Sequence, residues 1–332
     1  MTEHTDHHHH HNHAHGQSLS LTWTFGYAIK GWSIAEGKFL ICFILLLITS
    51  CFFEIASGII LAESFLISEG FRSGFDTLCV YVALVGLSFD INNPNPDKKY
   101  AFGYGRTQIV TAFGNAIFTL FTNLFALLEA VHHLYGGHAE NHMLFGKELL
   151  IFKILIEILI YFGLIKSIRK DEKCSTFSDN LGIIAIKCLG FIITESLILV
   201  DSYILYDDIG IPLYTFVPIL NILWIVVCMC LLRPYVARNG KILLLSAPSG
   251  NMRTEIEKKL REISILEGVV SIKSEKFWMV TSSTLAGSVL ISVERNANPQ
   301  SIIMKSRDCL SKLIEYFTIE LVVEDDSTVK NE

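Results

Sequence analysis

The chain has 332 residues, of which 51% are hydrophobic and 18% charged, with a formal net charge of −6 and a mean hydropathy of +0.44. Those values suit a multi-span membrane protein and argue against a conventional soluble enzyme. The acidic balance, with no basic block to offset it, argues against nucleic acid as a partner.

The first segment, residues 1–37, is polar at its start and is expected to carry no cleavable signal peptide. It holds eight histidines within fifteen residues: His4, His7, His8, His9, His10, His11, His13 and His15. Neutral imidazoles in a flexible tract bind zinc loosely, so a weak zinc site is one reading and an expression tag the other.

A spanning helix needs about 20 mainly apolar residues. Six segments of residues 38–235 meet that: 38–61, 65–88, 107–134, 147–167, 179–203 and 211–232. The positive loop charges alternate. Lys30 and Lys38; Lys98, Lys99 and Arg106; Lys166, Arg169, Lys170 and Lys173; and Arg233, Arg238 and Lys241 fall on one side, with Glu63, Asp207 and Asp208 on the other and Lys147 at one of its margins. By the positive-inside rule both termini are expected to be cytosolic, with the lipid bilayer around the spans. The eight cysteines lie mostly in apolar runs and indicate no disulfide framework. Cys228 and Cys230, two apart on a helix, point in different directions and do not suggest a copper site.

From Lys241 the pattern becomes that of a small soluble domain, assigned to residues 236–326 with a short tail at 327–332. Ile242–Leu245 reads as a strand, and Asn251 as the cap of a helix bearing Ile256, Leu260 and Ile263. Strands follow near 269–280 and 285–293, the second alternating through Val289, Ile291 and Val293. Asn298-Pro299 starts another helix, and 318–323 is the last strand. The order βαββαβ predicts a ferredoxin-like α+β module. At about 90 residues it can hold its own core, and association would help it.

Three motifs resemble those of the cation diffusion facilitator family. Leu66-Ile67-Ser68-Glu69-Gly70-Phe71-Arg72-Ser73-Gly74-Phe75-Asp76 resembles its second span, L-I-S-D-G-F-H-x-x-x-D. Phe102-Gly103-Tyr104-Gly105-Arg106-Thr107-Gln108-Ile109-Val110 resembles its F-G-x-x-R-x-E-V, with Gln108 in place of the glutamate. Phe277-Trp278, Leu285-Ala286-Gly287-Ser288-Val289 and Asn296-Ala297-Asn298-Pro299-Gln300 resemble its tail. The resemblance covers about residues 38 to 325. It implies a six-helix transmembrane bundle with an α+β ferredoxin-like domain on the cytosolic side.

In that family zinc sits between the second and fifth spans, each supplying a residue pair four apart on one helix face. The second-span pair here is Arg72 and Asp76. Alignment through Leu189-Gly190 puts Ile183 and Lys187 at the fifth-span pair. A second register, through Ser175 and Asp179, remains open. In the first, only Asp76 can bind a metal, and two cations replace two ligands. A unit charge about 5 Å from a dication costs roughly 7 kcal/mol at an effective dielectric near 20. Arg72 and Lys187 then read as compensating charges in a buried pair or triad with Asp76. Glu54, Glu69, Glu129, Lys153, Glu157 and Glu195 also fall within spans, and the sequence does not pair them. His132, His133, His138 and His142, at the far end of the third span and its loop, read as interfacial polar residues rather than a metal site.

The resemblance implies a non-enzymatic, auxiliary and non-conducting subunit of a heterodimeric zinc transporter in Golgi or early secretory membranes. Its expected partner is a catalytic relative of the zinc transporter five type. No cofactor is required. The soluble tail contains no histidine, so it reads as a dimerisation module rather than a metal sensor. Two alternatives stay open: an active zinc/proton antiporter using Asp76 and Asp179, and a membrane protein that senses zinc through the histidine tract.

Overall fold

The computed structural model describes residues 21–33, 35–61, 64–92, 101–136, 147–170, 175–204 and 213–324. The histidine tract at residues 4–15, the tail at 327–332 and several of the loop charges lie outside them.

Six long helices correspond to the six expected spans: α2 (Ala35–Leu61), α3 (Ser64–Asn92), α4 (Arg106–Gly136), α5 (Lys147–Lys170), α6 (Ser175–Ile204) and α7 (Leu213–Leu243). A short helix that the sequence reading did not anticipate, α1 (Leu21–Lys30), precedes them, and Tyr27 stacks on Phe89 of α3 at 4.4 Å between ring centroids. On α2, Leu40, Phe43 and Leu47 recur at helical spacing and are buried, while Phe39, Leu45, Phe52 and Ile60 face outward. A helix apolar on both faces needs an apolar solvent, which the bilayer supplies. The inward residues of α2 join Val80, Ala83, Leu84, Leu164, Ile184 and Cys188 in one core between α2, α3, α5 and α6. Ala112, Ala116, Ile183 and Leu232 form a second core where α4 and α7 close on α6.

Among the described residues, five helices are long and apolar enough to cross a membrane, within α2, α3, α4, α6 and α7. Helix α5 has the length, 24 residues or about 36 Å at 1.5 Å per residue. Like α3 and α6 it carries charges, Lys153 and Glu157, among its apolar residues, and the bundle supplies them with partners.

Two glycines let α3 approach α2 closely. A Cβ on Gly70 would lie 2.5 Å from Ile55 Cγ1 and 3.2 Å from the Cys51 carbonyl, and one on Gly74 would lie 3.3 Å from Cys51 Sγ. Four residues apart on one face, they form the small-xxx-small contact by which membrane helices bring their backbones together.

The expected strand at Ile242–Leu245 is not formed. Helix α7 instead runs through Pro234 to Leu243, and it breaks only at Leu245, whose φ is 56°. Beyond it lie α8 (Asn251–Ser264), β1 (Val269–Met279), β2 (Leu285–Val293), α9 (Pro299–Leu310) and β3 (Tyr316–Val323). The sheet runs β1-β2-β3, antiparallel and then parallel. In a split βαβ module the first strand lies between the last two. Without it β2 and β3 pair directly, and because α9 crosses between them they must run parallel. The ferredoxin-like order is therefore shortened to αββαβ.

Val289, Ile291 and Val293 face a core completed by Ile256, Leu260, Ile263, Ile302 and Leu310. Gly250, not Asn251, occupies the N-cap of α8. At α9 the expected cap is formed: Asn298 Oδ1 accepts from the backbone N–H of Gln300 at 3.1 Å and of Ser301 at 3.3 Å, with Pro299 following. Asn298→Ala should therefore cost about 1 kcal/mol, seen as faster amide exchange in the first turn of α9.

Candidate functional site: a charged cleft between the second and fifth spans

Helices α3, α4, α6 and α7 leave a cleft between them. Arg72 and Asp76 reach it from α3, Thr119, Thr122 and Asn123 from α4, Lys187, Phe191 and Thr194 from α6, and Trp224 and Cys228 from α7. One turn apart on α3, Arg72 and Asp76 share a helix face. Asp76 and Lys187 are 5% and 6% exposed and form a direct ion pair, Nζ to Oδ1. The Arg72 guanidinium lies 4.5 Å from the centre of the Phe191 ring, placing a desolvated cation against an aromatic face.

Three of the four positions assigned to the degenerate seat, Arg72, Asp76 and Lys187, thus line one cleft. The fourth, Ile183, is fully buried one turn away, packed with Ala112, Ala116 and Leu232. Residues of the other register point elsewhere. Asp179 stands eight residues before Lys187, about 12 Å along the helix. It accepts from Arg238 Nε and from Asn239 Nδ2, each at 3.0 Å, and also pairs with Arg238 through its other oxygen. Ser175 opens α6, and its side chain lies outside the described residues. The cleft therefore holds an acid already taken by an ammonium, with a guanidinium beside it. Among the described residues, no group of three His, Cys, Asp or Glu side chains is placed to hold a metal.

Sequence reasoning passed over the polar residues that fix this geometry. Asn180, next to Asp179 and so turned about 100° from it, donates to the Gln108 carbonyl and to Thr111 Oγ1, both at 3.1 Å. Asn115 donates to the Cys79 carbonyl at 3.0 Å and to Asn180 Oδ1 at 3.3 Å. Together they tie α3, α4 and α6 at a fixed rotation. The available signal was two asparagines in otherwise apolar helices, where an unsatisfied amide would be costly. Arg106, from the F-G-Y-G-R motif, donates to the Leu243 carbonyl at 3.4 Å. A cation is favoured there, at the end of α7.

A bundle of long apolar helices, a charged cleft between its second and fifth spans and a small αββαβ tail together define a multi-pass membrane protein built on a transporter frame. Residues 40–244, more than half of the chain, match the model of the cation efflux transmembrane domain, and the chain belongs to that family. It is 25% identical over 291 residues to a probable zinc transporter protein of Dictyostelium discoideum, covering 86% of this chain and 46% of that one. It is 24% identical over 284 residues to zinc transporter 6-A of Xenopus laevis, and 23% identical over 284 residues to zinc transporter 6 of Homo sapiens, covering 76% of this chain and 58% of theirs in both cases. The chain spans about half the length of the curated relatives it matches.

Proposed function

We propose that this chain is an auxiliary, non-conducting subunit of a heterodimeric transporter that moves cytosolic zinc into the lumen of Golgi or early secretory membranes. Both of its termini would be cytosolic. Its partner would be a catalytic relative of the zinc transporter five type, which this subunit stabilises or regulates, and the αββαβ tail is the expected contact.

One observation carries the reading: Lys187 occupies Asp76, the one carboxylate lining the cleft among the described residues, with Arg72 beside it. A dication entering would have to displace the ammonium and remain near two fixed positive charges in a low-dielectric site. Four ligands of the kind zinc requires are not gathered there among the described residues. The kinship with proteins named zinc transporter 6 supports the choice of zinc.

Flux measurement tests it. Reconstituted alone in liposomes under a zinc gradient, the protein should move no more zinc than protein-free vesicles. Co-reconstituted with a family member that has an intact His/Asp site, it should sustain or raise that member's flux. Zinc entry with this chain alone, abolished by Asp76→Ala, would establish the antiporter alternative instead. The histidine tract is proposed as a loose zinc reservoir for the partner. Deleting residues 2–15 should then slow zinc loading by the pair.

A further inference from the structure

A second group of charges lies in the bundle outside the cleft. Lys153 on α5 reaches Glu54 on α2 at 2.5 Å, forms a direct pair with Glu195 on α6, and stands 3.9 Å from Glu157 one turn along its own helix. The three carboxylates are unequally provided for. Glu54 also accepts from Ser50 Oγ at 2.7 Å and Ser73 Oγ at 2.9 Å. Glu195 takes Lys153 on one oxygen and has no hydrogen-bond partner on the other among the described residues. Glu157 is 0% exposed, and neither of its carboxyl oxygens has a hydrogen-bond partner among the described residues.

The groups facing Glu157 are Lys153 from α5, Glu195 and Cys188 from α6, Glu54 from α2 and Arg72 from α3. Asp76 and Lys187 neutralise each other. Among the described residues, what remains is Arg72 and Lys153 against three carboxylates, one negative charge in excess. An unbalanced charge in such surroundings is removed by taking up a proton. The carboxyl with the fewest donors is where that proton is held most firmly.

We propose that Glu157 is a proton-binding residue of the membrane domain, holding an exchangeable proton at neutral pH where α5 meets α2 and α6, next to the metal-type cleft, with which it shares Arg72. The proton adds to one carboxylate oxygen, giving a neutral acid whose O–H becomes a donor. The spare oxygen of Glu195 is an acceptor of the right kind within the same cluster. Release of the proton restores the excess negative charge around Lys153 and weakens the seam between α5 and its neighbours. Stability of the bundle thus falls as pH rises. The site does not depend on whether the chain conducts zinc.

The test uses the full-length protein in lipid nanodiscs with carbon-13 glutamate, followed by infrared spectroscopy. At neutral pH the wild type should show the carbonyl stretch of a protonated glutamic acid, shifted by the label and by deuterium oxide, and lost reversibly as pH is raised. Glu157→Gln, which mimics the neutral acid, should lack the band and keep a thermal stability that no longer falls with pH. If that variant does not accumulate, Glu157→Asp is read in its place: it keeps the carboxyl, so a protonated band should remain there but without the carbon-13 glutamate shift. Absence of the band in the wild type at neutral pH, or persistence of a glutamate-labelled band in Glu157→Gln or Glu157→Asp, overturns the proposal. So does its disappearance on adding sodium at fixed pH, which would make the cluster a cation site.

Discussion

Lys187→Met should destabilise the bundle by about 3–5 kcal/mol, the cost of leaving a buried carboxylate without its counter-charge. Asp76 is 5% exposed, in a cleft lined also by α4 and α7. The guanidinium of Arg72 lies one turn away against Phe191 and does not replace a direct contact. The double variant Asp76→Asn with Lys187→Met removes both charges and should recover most of the loss, because a buried pair adds little net stability over neutral groups of similar size. Melting of the detergent-solubilised wild type, both single variants and the double variant measures the coupling. Additive losses in that cycle would show that the two side chains do not interact.

Gly70→Leu should be the most damaging apolar substitution in the first pair of spans, by roughly 3 kcal/mol, at the upper end of what overpacking costs. The new side chain would start 2.5 Å from Ile55 and within 3.2 Å of backbone, which cannot move aside as a flexible chain end could. Separating α2 from α3 would also pull Ser73 away from Glu54 and so disturb the carboxylate that Lys153 holds. A lower melting temperature together with altered accessibility of Cys51 to a thiol reagent would report that separation. Gly70→Ala should show a smaller version of both effects.

The six-helix plan was legible because long apolar runs in a membrane protein leave few other structures that satisfy the backbone. The cap at Asn298 and the alternation through Val289, Ile291 and Val293 were legible for the same kind of local reason. Contacts between helices were not. Glu54, Lys153, Glu157 and Glu195 stand out as charges within spans, but which of them meet depends on helix rotation, set by features such as the Gly70–Gly74 face and the asparagines on α4 and α6. Ile242–Leu245 misled because an apolar run of four fits either a strand or a helix end. Contacts made elsewhere decide it: Arg106 at the Leu243 carbonyl, and Arg238 with Asn239 on Asp179. Proline at 234 was outweighed by those contacts, as propensity often is by tertiary structure.

Those contacts make α7 a drive shaft. No slack linker separates the sixth membrane helix from the tail: the chain turns once at Leu245, and Ser246 then accepts from the Met279 N–H at 3.2 Å, at the end of β1. On another side, Phe102 meets Tyr316 of β3 edge to face at 5.4 Å, gearing the approach to α4 to the same sheet. Torque applied to the sheet therefore passes along α7 and, through Arg238 and Asp179, into α6, the helix that carries Lys187.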